Sequence, residues 1–274
     1  MTTASRTDPN STPGPAAPVT ALLLPGYSPD LAWLARAVNA DRVILDDRHP
    51  FSRKSRVHRT KIRTPDGHQW LTIPFVSGDR RKPINQVRID DRRPWLRNHL
   101  QALEFNYRNS PYFDFYEPEI RADLETAASC VFLVDAVRHL MQRQWTYLDF
   151  ADFPLWSSDL IPGMDAGTDA GTDPPPGPTL YDLVADDSTI VWQEPDSRHY
   201  QRPHPAAVPI TADQNDAIQN DADQNDADQP VFRIPEYRQH FPGFVPGCGV
   251  LDLLFEYGPD AWQVLDGLTL KSKS

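Results

Sequence analysis

The sequence predicts an α/β fold, with a mixed, mostly N-terminal β-sheet and helices packed on it, in a single domain over residues 19–270. Three observations carry that expectation. Val19 to Leu45 reads strand, turn, helix, strand; a Pro65-Asp66-Gly67 turn joins two further strand-like runs; and from Pro94 onward the apolar spacing becomes helical. At 274 residues the chain is long enough for a substantial core, and its 28 prolines fall partly in segments with little to bury.

Taken in order, residues 1–18 are polar and proline-rich and predict a disordered tail. Val19–Leu24 is a short apolar run ended by Pro25-Gly26, hence a strand. Leu31, Leu34, Ala35 and Val38 recur at helical spacing within Pro29–Asn39, and Arg42–Leu45 returns to an apolar strand. Lys61–Thr64 and His68–Val76 flank the Pro-Asp-Gly turn and predict a hairpin, and Gln86–Asp90 predicts one more strand. Pro94–Tyr107 places Leu96, Leu100, Leu103 and Tyr107 on one helical face, with Trp95 and His99 one turn apart on an adjoining face. Tyr112–Thr126 and Ser129–Gln144 predict two further helices.

Residues 163–178 repeat a GMDA-GTDA-GTD unit and run into prolines, and residues 212–229 repeat the pentapeptide ADQND. A five-residue period is too short for a solenoid unit, so both segments predict low-complexity surface loops. A short helix at Thr179–Ala185 and a strand at Thr189–Trp192 are expected between them. Val250–Tyr257 then predicts an amphipathic helix stopped by Gly258-Pro259.

Charge is distributed unevenly along this framework. From Arg48 to Arg108 there are fifteen Arg or Lys against five Asp or Glu, a local +10 in a chain whose net charge is −11. Arg53, Arg59, Lys61 and Arg63 share odd-numbered parity, so an extended segment projects them to one side. A basic stripe inside an acidic protein implies a bound anion. A long nucleic acid would be repelled by the acidic remainder of the chain, so a small phosphorylated ligand fits better.

Asp46 and Asp47 close the second strand directly before that stripe. They are either a carboxylate at the ligand edge of the sheet or a turn pair that neutralises nearby arginines. His49, His58, His68 and His99 are candidates for a general base; His58 ranks first for its place inside the stripe, His99 second for its pairing with Trp95. No histidine pair has zinc-site spacing, so no metal ligands are assigned, and the sequence leaves the cofactor unknown. Cys130 and Cys248 are too few for a disulfide scaffold and read as small buried side chains. G-x-G-x-x-G, P-loop and G-x-S-x-G motifs are absent, and LPGYSP at Leu24–Pro29 is a turn with some capacity to present N–H groups to a phosphate. The first eighteen residues hold no apolar h-region and no run is long enough to span a bilayer, which predicts a cytoplasmic protein.

Five ordered motifs resemble the WbqC-like family of bacterial proteins. They are Leu24-Pro25-Gly26-Tyr27-Ser28-Pro29 with Trp33; Arg53 through His58-Arg59-Thr60-Lys61-Ile62; Gly67 with Leu71-Thr72-Ile73-Pro74; Trp95, His99 and Tyr107 with Pro111-Tyr112-Phe113; and Phe244 to Phe255 followed by Gly258-Pro259. The resemblance spans Ala21 to Leu265, interrupted by the two repeats. It departs from the family pattern at Leu24 (Gln in the family), His58 (Asn) and Gly247-Cys248-Gly249 (Asn-Leu-Ser).

The resemblance implies a role in surface-polysaccharide assembly, with transfer of an aminoacyl (glycyl) or acyl group to a nucleotide-linked amino sugar. The partner is then a phosphorylated small molecule, a nucleotide sugar or an activated acyl donor. Arg53, Arg59 and Lys61 would clamp phosphate, and Asp46 or His58, with His99 as a further candidate, would take the proton from the attacking amine. Tyr27, Trp95 and Asp252, which fall on the matched motifs, complete the expected substrate-binding set. The contrary expectation is a non-catalytic binding or scaffold protein using the same basic patch.

Overall fold

The computed structural model describes residues 18–160, 190–193, 208–209 and 234–268. The expected tail up to residue 17, both repeat segments and the helix expected at Thr179–Ala185 lie outside these residues. In chain order the strands are β1 (Val19–Leu23), β2 (Arg42–Leu45), β3 (Arg59–Thr64), β4 (Gly67–Thr72), β5 (Leu155–Trp156), β6 (Ile190–Gln193) and β7 (Val208–Pro209). The helices are α1 (Leu31–Val38), α2 (Trp95–Tyr107), α3 (Phe113–Ala128), α4 (Leu133–Tyr147), α5 (Ser157–Leu160), α6 (Val250–Tyr257) and α7 (Trp262–Leu265).

The class is α/β, with parallel and antiparallel pairing divided between two sheets. One is wholly parallel in the order β5-β2-β1-β6-β7, and the other is the antiparallel β3–β4 hairpin. From β1 the chain builds outward through β2 to β5, then returns to the other flank of β1 as β6. The order therefore reverses at β1, and a crevice at the carboxyl ends of the strands is where such sheets hold ligands.

Local chemistry accounts for the first crossover. The Asp30 carboxylate accepts the Trp33 N–H at 3.0 Å and caps α1, whose Leu31, Leu34 and Ala35 are buried. Asn39 ends the helix by donating to Ala35 O and Leu268 O. The β2 residues Ile44 and Leu45 pair with Leu22 and Leu23 of β1, all four buried as expected for a strand covered on both faces.

Two expectations are corrected. Gln86–Asp90 is not a strand: Ile84–Gln86 forms a 3₁₀ turn, and only isolated bridges join Phe75 to Ile89 and Arg88 to Phe132. The reason is local, since the Arg88 N–H and guanidinium both go to the buried Asp79 carboxylate, so no ladder extends through that residue. On α2 the buried face is Trp95, His99, Leu103, Asn106 and Tyr107, whereas Leu96 and Leu100 are only partly buried.

The C-terminal segment packs α6 against the rest through a close chain crossing. A Cβ on Gly249 would lie 2.3 Å from Thr60 Oγ1 and 2.7 Å from Ser28 Oγ. Gly249 is the N-cap of α6 and has no hydroxyl of its own; instead Ser28, from the turn after β1, accepts the Leu251 N–H at 3.4 Å. The family pattern's serine at this position is thus replaced by a glycine with a cap supplied from across the fold.

Candidate active site

At the carboxyl end of β2 the two adjacent aspartates part company. Asp47 is fully engaged in structure, accepting from Ser157 Oγ at 2.7 Å, Ser158 Oγ at 2.6 Å and the Ser158 N–H at 3.0 Å, which anchors the start of α5. Asp46 lies alongside β1, its N–H donating to Leu23 O, and its Oδ2 is 3.8 Å from His49 Nδ1. The His49 loop is pinned by backbone bonds, Ile84 N–H to His49 O at 3.0 Å and Phe51 N–H to Lys82 O at 2.8 Å.

His49 lines a cavity of about 630 Å³ together with Leu24, which follows β1, and Arg53, Lys54, Arg80 and Arg81. None of those four cations forms an ion pair among the described residues, in contrast to much of the basic stretch. Asp79 takes both Arg88 and Lys82, Asp90 takes Arg92 and Arg93, and Asp30 takes Arg56. The hydrogen bonds from Arg88, then those from Lys82, hold the Asp79 carboxyl well below the usual range despite its burial. That carboxylate braces the loop from which Arg80 and Arg81 reach the cavity, and Arg81 sits at φ 76, a left-handed conformation uncommon for a side-chain-bearing residue. Cations left over after the protein's own carboxylates are matched create a positive field suited to an anion.

The expected stripe divides. The hairpin does set Arg59, Lys61 and Arg63 on one face, opposite Thr72, Trp70 and His68 of β4. Arg56, Arg59 and Lys61 gather on the Trp70 ring at 4.9, 4.2 and 5.5 Å from its centroid. Arg59 also donates to Lys54 O at 2.6 Å, and burial, with neighbouring Arg56, presses its guanidinium below the ordinary value. Arg63 is buried and donates to the carbonyls of Thr64, Gly67 and Pro242, closing the hairpin onto the C-terminal segment. Arg53 alone of the expected phosphate clamp reaches the cavity at the sheet edge.

Arg53 and Arg80 also line a second cavity of about 660 Å³, with Trp70, Trp95, His99, Gln69 and Asn98 on its walls. His99 is locked there. Its Nε2 donates to Thr72 O at 3.2 Å, so Nδ1 is the acceptor for the Tyr27 hydroxyl at 3.0 Å. Burial drives the His99 pKa down to about 4 and raises that of Tyr27, keeping both neutral. Trp95 meets His99 edge-on.

His58, first among the expected bases, is 3% exposed and packed edge-on between Phe51 and Phe75. Burial, and then the Arg59 charge, lowers its pKa to about 4. It lies behind the walls of both cavities. Asp252 is equally interior: Tyr107 and Tyr237 each donate to it at 2.6 Å and Gln239 at 3.0 Å, while Tyr107 in turn accepts the Arg63 N–H. The network fastens α6 to α2 and β3. Cys248 beside it is buried and its thiol pKa is pushed up to about 12, so it is not a poised nucleophile. Among the described residues no group of three or more His, Cys, Asp or Glu could hold a metal.

The structure thus brings Asp46 and Arg53 to the sheet edge, places His99 and Trp95 on the second cavity with the buried Tyr27 behind His99, and sets His58 and Asp252 in the interior. Three contributors were underrated by sequence reasoning: His49, Arg80 and Arg81. The spacing of Asp46 to His49 directly after a strand was the available signal for the first. Nothing in the sequence separates Arg80 and Arg81 from Lys82 and Arg88, which Asp79 neutralises.

The sequence model of the WbqC-like protein family matches residues 25–264. An uncharacterized protein of Mycobacterium tuberculosis (strain ATCC 25618 / H37Rv), Rv1507c, is 24% identical over 258 residues, covering 88% of this chain and 94% of that protein. No solved structure matches the chain.

Proposed function

The chain belongs to the WbqC-like protein family, and from that premise we propose that it is a cytoplasmic enzyme of surface-polysaccharide assembly. In this reading it transfers an aminoacyl or acyl group to an amino sugar carried on a nucleotide. One observation supports the reading above others: a cavity at the carboxyl edge of the parallel sheet holds Arg53, Lys54, Arg80 and Arg81, which have no ion-pair partner among the described residues, beside His49 with Asp46 behind it. Arginine forks bind phosphate oxygens in pairs, and an imidazole aligned by a carboxylate is suited to take a proton from an attacking amine. In the transfer step the amine nitrogen bonds to the acyl carbon and the leaving group departs. His49 takes the proton that the amine releases, and Asp46 is a positioning residue. Among the described residues no helix is long and apolar enough to cross a membrane.

The test is mass spectrometry on a nucleotide-linked amino sugar incubated with the protein and an acyl thioester. A mass gain on the sugar that requires His49 is the expected result. Binding of the sugar without any His49-dependent mass gain leaves a binding or scaffold protein in place of an enzyme.

A further inference from the structure

We infer that the cavity beside Trp70 is a nucleoside subsite, so that the ligand lies across two hollows with its diphosphate between them. The inference rests on the phosphate-binding reading above and adds the orientation and class of the ligand. Arg53 and Arg80 line both cavities, so the two hollows meet at these side chains. An anion held by the pair has one end in each. The hollows differ in chemistry. The sheet-edge cavity of about 630 Å³ adds His49, Lys54 and Arg81, groups suited to a reacting, charged end. The other, about 660 Å³, is lined by Trp70, Trp95 and the amides of Gln69 and Asn98, with Arg92 and Arg93 held there by Asp90, their own counter-ion. Both volumes lie within the range of small-molecule sites.

Gln69 and Asn98 are exposed, and neither side-chain amide has a hydrogen-bond partner among the described residues. An amide carries both donors and an acceptor, which matches the mixed edge of a nucleobase, and the Trp70 indole, which carries Arg56, Arg59 and Lys61 on its ring, still lines the cavity as an aromatic surface for the base. The same wall has no histidine free to do chemistry, since His99 is committed to Tyr27 and Thr72. A nucleoside on this side and the reacting sugar beside His49 is the placement that uses each wall for what it can do.

Calorimetric titration of the full chain with inorganic pyrophosphate, UDP and ADP tests this. Expected is at least about tenfold tighter binding of the better nucleotide than of pyrophosphate, the gain of one stacked base. The double variant Gln69→Ala, Asn98→Ala should weaken the better nucleotide by about fivefold or more through the lost hydrogen bonds to the base edge and leave pyrophosphate affinity within about twofold, since both residues are exposed and lie outside the core. Nucleotides binding no tighter than pyrophosphate, with pyrophosphate still dependent on Arg53, would overturn the nucleoside subsite alone. Pyrophosphate binding that is absent, or indifferent to Arg53→Ala, would remove the phosphate reading and this inference with it.

Discussion

Asp46 and His49 face each other across one turn at the carboxyl end of β2, Oδ2 to Nδ1 3.8 Å, while the neighbouring Asp47 is consumed by Ser157 and Ser158. The distance is longer than a hydrogen bond, and such contacts tighten when a ligand closes the site. Asp46→Asn should therefore slow transfer by about tenfold or more and His49→Ala by about 10²- to 10⁴-fold, with pyrophosphate affinity altered less than about twofold in either. Steady-state kinetics with parallel titrations check both. A fall in affinity equal to the fall in turnover would move His49 from proton transfer to simple binding.

Acid should destabilise the fold through the buried imidazoles of His58 and His99. His58 and His99 have folded pKa values of about 4, below the ordinary 6.5, because burial penalises their charged forms. Their contribution is complete above pH 6.5 and declines as pH falls toward 4, because the unfolded chain binds the protons first. By pH 5 each should have removed about 2 kcal/mol. Urea denaturation at pH 7 and pH 5 measures the difference, and His58→Phe, which continues the Phe51–Phe75 cluster, should remove one share of it.

How much of this was legible beforehand depends on what kind of contact does the deciding. The opening β1–α1–β2 unit was readable because apolar spacing is local in sequence. The hairpin face was readable from parity, and the structure keeps Arg59, Lys61 and Arg63 together as expected. The roles of those cations were not readable, because a charge acquires a role only from its neighbours. Arg63 meets carbonyls near residue 242, Arg56 meets Asp30, and Arg53 meets an unneutralised cavity. The same limit applies to Asp252, whose acidity in the sequence gives no hint that two tyrosine hydroxyls bury it.

Arg59 should prove more important to stability than to binding. It bridges the Lys54 carbonyl and the Trp70 face, and it lines neither cavity. Arg59→Ala should lower stability by about 1–2 kcal/mol, given the usual worth of a cation–π contact and a charged donor at a half-exposed site. Thermal melting and pyrophosphate titration on the same variant separate the two effects. A large affinity loss without loss of stability would return Arg59 to the ligand.

Gly249→Ala should destabilise by about 1–3 kcal/mol, because a Cβ there has no room beside Thr60 and Ser28. The companion Ser28→Ala should lose about 1 kcal/mol through the cap it supplies to α6. Chemical denaturation reads both. Equal stability of Gly249→Ala and the parent would mean the crossing of the two segments is looser than described.

The central claim is that the phosphate sits at the sheet edge between Arg53 and Arg80, and not on the cation platform at Trp70. The most direct measurement compares pyrophosphate affinity in Arg53→Ala and Lys61→Ala, two single-charge losses on the same stripe. The account predicts a loss of about tenfold or more for Arg53→Ala, the worth of one charge-assisted hydrogen bond, and less than about twofold for Lys61→Ala. The reverse order, a large loss at Lys61 with Arg53→Ala unchanged, would contradict it.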